Sequence, residues 1–237
     1  MKKSVKIAAL AIAIFAGIGG TAHAEGFKTG VDLVSSFVWR GNDIGDSPAI
    51  QPTLSYTFPG SDVVLGAWGS YAVEKNTVSS TTNNSYRYQE VDLSLTVPVG
   101  PFTVGVIDYY VPDTTTSTTR SFDFSKTGPN TLEADITYSS GNLGLLAAYN
   151  FAGVDRLDSH AFYGEASYKF YSSKDGYSAK AIAGAGSKYY YGGDGENTEK
   201  KLALVNTGIS VSKDRFTASY VYNPISEKSA LVLAASF

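Results

Sequence analysis

Glu90-Val91-Asp92-Leu93-Ser94-Leu95-Thr96-Val97 sets Val91, Leu93, Leu95 and Val97 on one face of an extended chain, and Glu90, Asp92, Ser94 and Thr96 on the other. Successive side chains of a strand point to opposite faces, so a period of two reads as a strand with one apolar and one polar surface. The same rhythm recurs in both directions. Towards the amino end, Phe27, Thr29, Val31, Leu33, Phe37 and Trp39 oppose Lys28, Gly30, Asp32, Ser36 and Arg40. Ile50, Pro52, Leu54, Tyr56 and Phe58 then oppose Ala49, Gln51, Thr53, Ser55 and Thr57. Towards the carboxyl end, Leu132, Ala134, Ile136 and Tyr138 oppose Thr131, Glu133, Asp135 and Thr137. Phe162, Gly164, Ala166, Tyr168 and Phe170 oppose Tyr163, Glu165, Ser167 and Lys169. Less regular runs cover 63–73, 102–110, 143–151, 177–189, 202–211, 216–223 and 229–237, for twelve strands in all. Asp108 breaks the apolar register of its run and predicts a bulge or a strand boundary there. The run 177–189 leaves its face open.

The connections carry an independent pattern. Segments 59–62, 98–101, 140–142, 171–176 and 212–215 are short, whereas 41–48, 74–85, 111–129, 152–159, 190–201 and 224–228 are mostly longer and more polar. Short and long alternate strictly. Twelve antiparallel strands with both termini on the periplasmic side of an outer membrane need six outer loops and five inner turns, which is this arrangement.

The last run places Leu231, Leu233, Ala235 and Phe237 on one face. An aromatic residue closing an alternating final strand is read by the barrel-assembly machinery, so Phe237 is the candidate assembly signal. At the other end, Lys2, Lys3 and Lys6 precede an uncharged apolar run over 7–18 and the small-residue site Ala22-His23-Ala24. This is the pattern of a cleaved secretory signal over 1–24. The run is short for a spanning helix, which needs about 20 apolar residues, and no stop-transfer charges follow it. The expected mature unit is then a single barrel domain over 25–237.

Composition bounds the partners. Removing Lys2, Lys3 and Lys6 deepens the formal charge from −3 to −6, against the basic patch that nucleic acid requires. The chain has no cysteine, so neither disulfides nor thiolate chemistry enter. A periplasmic β-sandwich shares the alternation but buries its apolar face in a core. Two features favour a membrane barrel instead. Aromatic residues stand at the strand tips (Trp39, Tyr71, Tyr138, Tyr149, Phe170, Tyr189 and Tyr222), as in headgroup-level girdles. The polar faces carry small and charged side chains suited to a lumen. Backbone groups in lipid must all be paired, so such a sheet has to close. Strands about 4.8 Å apart and tilted about 40° give a twelve-strand barrel about 24 Å across at the backbone, with room for a narrow aqueous path. The expected surroundings are outer-membrane lipid and lipopolysaccharide.

The stretch Ser35-Ser36-Phe37-Val38-Trp39-Arg40-Gly41, followed by Pro48-Ala49-Ile50-Gln51, Leu65-Gly66-Ala67-Trp68-Gly69-Ser70 and Glu90-Val91-Asp92-Leu93, resembles the TorF family of porin-like proteins, also described as Gcw_chp. That pattern runs approximately Ser-Asp-Tyr-Val-Phe-Arg-Gly, then Pro-Ala, a Trp-Gly or Trp-Ala pair, and Glu-x-Asp. Ser36 stands here in place of the usual Asp. The local match covers roughly the first third of the mature chain. The resemblance implies an outer-membrane barrel with channel function and names no substrate.

The candidate pore-lining residues are Asp32, Arg40, Gln51, Glu90, Asp92, Glu133, Asp135, Glu165 and Lys169, with Lys28 on the same face. Acids in a water-filled pore raise cation occupancy. The same charges have a second reading, as pairs across the wall that fill the interior. Arg40, where the first strand meets its loop, is placed to anchor that loop to a lumen carboxylate. Hydrolase chemistry needs a histidine with partners. Of two histidines, His23 lies in the signal, and His160 near Asp155, Asp158 and Ser159 reads as a loop-edge residue. No enzyme and no cofactor are expected. Asp194-Gly195-Glu196-Asn197 falls short of a calcium loop and reads as a solvated turn. The threonine-rich segments 77–82 and 114–119 are outer-loop sequence facing lipopolysaccharide, phage or nothing. Two functions follow: a passive porin for small hydrophilic solutes or ions with a mildly cation-favouring lumen, or a non-conducting barrel acting through its loops as adhesin, receptor or structural protein.

Overall fold

The structure, a computed structural model, describes residues 26–77, 85–112, 120–125, 128–153, 161–193 and 201–237. The signal segment, His160, residues 194–197 and the threonine-rich segments 78–82 and 114–119 lie outside the described residues. Twelve strands form one closed antiparallel barrel. They are β1 (Gly26–Val34), β2 (Ala49–Thr57), β3 (Val64–Ala72), β4 (Gln89–Val99), β5 (Phe102–Tyr110) and β6 (Asn130–Ser140). The second half comprises β7 (Leu143–Gly153), β8 (Phe162–Ser172), β9 (Tyr177–Ser187), β10 (Leu202–Lys213), β11 (Phe216–Asn223) and β12 (Lys228–Ser236). Each strand pairs with its chain neighbours, and β1 closes on β12 with Asp32 opposite Ser236. Phe237 completes the seam. Its N–H donates to the Val31 carbonyl at 3.0 Å and its carbonyl accepts from Val31 at 3.1 Å.

The alternation places the side chains. Leu33, Leu54, Leu65, Val91, Leu93, Leu95, Val104, Ile136, Leu145, Ile209 and Leu233 lie exposed on the outer surface. Asp32, Gln51, Glu90, Asp92, Glu133, Asp135 and Glu165 are buried inside. The long connections gather at one end of the barrel and the short turns at the other, as expected. Tyr71, Tyr149 and Tyr222 face outward near the long-loop end, and Tyr138 and Phe170 near the short-turn end.

Two local expectations are overturned and a third is narrowed. First, β1 ends at Val34 rather than running to Arg40. Phe37 and Trp39 therefore do not join the outer face: Phe37 is buried against Trp68 and Tyr88, and Trp39 packs on Tyr109, Tyr190 and Tyr191. The cause is visible in the sequence. From Val34 to Trp39 both parities carry apolar residues, which suits a segment buried all round and not a strand with a polar face. Second, β9 ends at Ser187 and is followed by a single helical turn, Lys188–Tyr191, so Tyr189 is not a strand-tip aromatic. Third, of the two readings of Asp108 the bulge is excluded, since the residue lies in continuous register opposite Leu93 and Leu132. It sits two residues from the strand end and accepts a hydrogen bond from Asn130 at 2.9 Å.

The bulges fall elsewhere. The β6–β7, β8–β9 and β9–β10 registers shift at Phe151, Phe170 and Val205, each the extra residue on its strand. At Val205 the shift turns two successive residues, Val205 and Asn206, into the interior. The face of β9 is now defined. Lys180, Ile182, Gly184 and Gly186 point inward, opposite Lys169, Ser167, Glu165 and Tyr163.

Candidate functional site

The connection over residues 35–48 does not stand above the rim but folds into the barrel. Val38–Trp39 pairs with Asn42–Asp43, Trp39 opposite Asn42, so Arg40 and Gly41 are the two turn residues of a minimal hairpin. Both have positive φ, 47° and 89°, which two-residue hairpins of the primed type require. Glycine adopts this backbone freely, whereas arginine costs about 1–2 kcal/mol, so Arg40 has to be held by its contacts.

Those contacts are dense. The Arg40 guanidinium donates from Nη1 to Glu133 Oε2 at 2.6 Å and from Nη2 to Oε1 at 2.7 Å, in a bidentate pair. Nη1 also donates to the Tyr191 hydroxyl at 2.8 Å, and Tyr109 donates to Glu133 Oε1 at 2.9 Å. The guanidinium carbon stands 4.6 Å from the Trp39 ring centroid and 4.5 Å from that of Tyr163. Planar guanidinium groups favour this combination of fork and stacked rings, which a lysine cannot reproduce. The arrangement joins the first long connection, strands β6 and β8, and the turn after β9.

A second layer of bonds fixes the helical turn. Asn42 and Asn223 both donate to the Tyr191 carbonyl, at 3.1 and 2.9 Å, and Asn223 also donates to Asn42 Oδ1 at 3.2 Å. Beneath it, Tyr163 donates to Glu165 Oε2 at 2.6 Å, and Asn206 reaches both groups, at 2.9 and 3.1 Å. Two apolar clusters wedge the loop in place. One contains Phe37 and Val38 with Val34, Ala49, Trp68 and Val232; the other contains Tyr163, Tyr191, Val205, Ala148 and Ala161.

The remaining predicted residues divide into two groups. Gln51 donates to Ser70 Oγ at 3.3 Å, Asp32 lies opposite it on β1, and Lys169 is exposed towards the short-turn end opposite Lys180. The acids on β4 and β6 differ from these. Glu90 accepts the Tyr88 hydroxyl at 2.7 Å. Burial, and then the Glu90 carboxylate, push the Tyr88 hydroxyl far above the usual phenol range, so it remains a proton donor. Both oxygens of Asp92 and both of Asp135 are buried without any hydrogen-bond donor. Among the described residues, the one ion pair is Arg40 with Glu133. Among the described residues, Arg40 is thus the cation that braces the interior, and the acids on β4 and β6 outnumber it.

Several members of this assembly escape a reading of the sequence alone. Tyr163 and Asn206 lie on polar faces, but the bulge at Val205 hides the parity of Asn206. Tyr109 lies in one of the less regular runs and Tyr191 in a long connection, and only the inward hairpin brings them to the Arg40–Glu133 pair. Lys180 becomes a lumen residue, attracted to Glu165 across β8 and β9, only once the face of β9 is known.

A family model described as a bacterial protein of unknown function (Gcw_chp) matches residues 19–223, from ahead of β1 through β11. The match reaches far beyond the first third of the chain in which local motifs are recognisable. No curated protein matches the chain.

Proposed function

Because the chain belongs to the Gcw_chp family of bacterial proteins of unknown function, we propose from its own geometry that it is an outer-membrane porin with a cation-favouring lumen narrowed by its first loop. The observation that carries this reading is the pair Asp92 and Asp135, whose carboxylates point inward with no donor on any oxygen. A buried carboxylate without a partner is costly, and a filled, purely structural interior would pair or replace it. Their negative charge favours a cation in an adjacent aqueous path through its field, without direct contact, and this gives a cation channel a reason to keep them. The outer surface supports a membrane setting. Exposed Leu, Val, Ile, Phe and Tyr side chains ring the barrel, and closure leaves no strand edge. The TorF-like motifs at 35–41 and 48–51 agree with a porin. Small hydrophilic solutes and ions are the class that a barrel of this size admits.

One observation favours a second reading. The hairpin with Trp39 and Arg40 occupies the long-loop half of the interior and is clamped there by Glu133 and Tyr191. A barrel closed in this way would act through its outer loops as receptor, adhesin or membrane-stabilising protein.

Single-channel recording of the refolded mature chain in a planar bilayer under a salt gradient separates the two. Discrete steps with a cation-leaning reversal potential support the porin. A barrel that keeps heat-modifiable gel mobility but passes no current supports the closed alternative.

A further inference from the structure

Beside the Arg40 assembly lies a cavity of about 340 Å³ at the long-loop end, within the range of small-molecule pockets. Five of its lining residues are aromatic: Phe37 and Trp39 from the inward hairpin, Tyr88 just before β4, Tyr109 near the end of β5, and Tyr190 from the helical turn; Ile44, Val111, Pro129 and Thr131 add to the wall. One carboxylate, Glu90, also lines it. The rings are not coplanar. Tyr190 meets Trp39 at 88°, Tyr109 meets Trp39 at 68° and Tyr88 meets Phe37 at 50°, so they enclose a volume rather than form a stacking track.

Acids outnumber cations around this box. Behind Glu90 stands Asp92, buried and without a hydrogen-bond donor on either oxygen. The charged groups that act most strongly on Asp92 are Glu90, Asp108 and Glu133, all acids. Arg40 is engaged by Glu133 and Tyr191, and Arg87 directs its Nη1 to the carbonyls of Ala72 and Val73. Next door, the Arg40 site shows what this interior accommodates: a cation among Trp39, Tyr163 and Tyr191, paired with one carboxylate. The cavity repeats that chemistry with other rings and other acids.

We propose that this cavity is a binding site for a small organic ammonium ion, held over the faces of Trp39, Tyr88, Tyr109 and Tyr190 and neutralised by Glu90 with Asp92 behind it. Mutually tilted rings present their negative faces to a compact cation, and a nearby carboxylate adds a directional charge. A sugar would instead call for parallel stacking faces, whereas the rings here are mutually tilted. The site is an equilibrium binding site and does not depend on whether the barrel conducts.

Choline is the probe, with its neutral carbon isostere 3,3-dimethyl-1-butanol and with glucose as comparisons. The refolded full chain carries two tryptophans, so the W68F variant makes Trp39 the sole indole reporter. Isothermal titration of the unsubstituted chain repeats each measurement independently of fluorescence. The expected result is a saturable change with choline, none with glucose or the neutral isostere, and affinity about tenfold weaker in E90Q. E90Q keeps an acceptor for the Tyr88 hydroxyl, and its heat-modifiable mobility shows that the barrel has folded. Equal binding of choline and its isostere would reduce the cavity to an apolar hole and overturn the proposal. Binding of glucose, unchanged choline affinity in E90Q, or silence of a folded barrel towards choline by both methods would overturn it as well.

Discussion

The backbone carbonyl of Val205 occupies the space that a β-carbon on Gly41 would need. The tip of the inward hairpin and the bulge in β10 are therefore complementary surfaces. The bulge turns the Val205 backbone towards the lumen, and Gly41 is bare enough to rest against it. This accounts physically for an Arg-Gly pair at the tip. The first residue carries the guanidinium to Glu133, and the second lets the backbone approach the wall.

Gly41→Ala tests that fit directly. The substitution adds a clash with Val205 to the cost of a non-glycine residue at φ 89°, together about 2 kcal/mol or more. The barrel strands do not need Gly41, so heat-modifiable mobility is expected to persist while the hairpin leaves its seat. Trypsin reports the release, because Arg40 is buried in the seated hairpin and becomes a cleavage site once freed. Resistance to cleavage at Arg40 equal to that of the unsubstituted chain would show that the seat is not what holds the loop.

Arg40 and Glu133 form the brace proper. Removing one member of a buried, hydrogen-bonded pair leaves the other charge uncompensated and costs about 3–5 kcal/mol. R40A and E133A should each lower stability in denaturant titrations of the micelle-bound barrel, and the double variant should be less harmful than their sum. R40K keeps the charge but loses the second hydrogen bond and the stacked plane, so it should resemble R40A more than the native chain. If the barrel conducts, each single substitution should also enlarge the unitary step, since the hairpin narrows the lumen. Additive losses in the cycle would mean that the contact stabilises nothing by itself.

Most of the barrel was legible because strict alternation leaves a strand only one way to face. In β4, the residues from Glu90 to Val97 alternate without a break and lie as their sequence implies. Legibility fails where parity changes inside a run. In β10, Leu202 and Leu204 are outward at even positions, then Ile209 and Val211 at odd ones. That switch is itself the trace of the bulge at Val205, although a period-two reading treats it as noise. The first loop departs from the strand pattern for a related reason. Phe37 and Trp39 continue the odd-numbered apolar series of β1 by coincidence of spacing, while Val34 and Val38 on the other parity mark the chain as leaving the sheet. The partners of Arg40 were beyond reach, since Glu133 and Tyr191 meet it only across the closed barrel.

Asp92 and Asp135 allow selectivity to be tested without disturbing the brace. No N–H or hydroxyl donor reaches either carboxylate, and the amides relieve acid–acid repulsion, so D92N/D135N should fold with stability equal to or above that of the unsubstituted chain. If the lumen conducts, cation preference should fall towards neutrality in reversal-potential measurements at low salt, where charge effects are least screened. Selectivity unchanged from the native channel would place both carboxylates off the conduction path.

Deleting Val205 separates the bulge from the rest of β10. Leu204 already pairs with Ala185 and Asn206 with Gly184, so losing the extra residue leaves a regular ladder between β9 and β10. Closure of the barrel should survive, and with it heat-modifiable mobility. The seat for Gly41 should not survive, because the backbone that faced it is gone and the cluster with Tyr163 and Tyr191 loses a member. Trypsin should therefore cut at Arg40 as in Gly41→Ala. Val205→Gly is the control: it removes the side chain but keeps the bulged carbonyl, and should leave Arg40 largely protected. Protection in the deletion would show that the side-chain brace to Glu133 holds the hairpin unaided. Cleavage in the deletion but not in Val205→Gly would locate the hold in the backbone of a single extra residue.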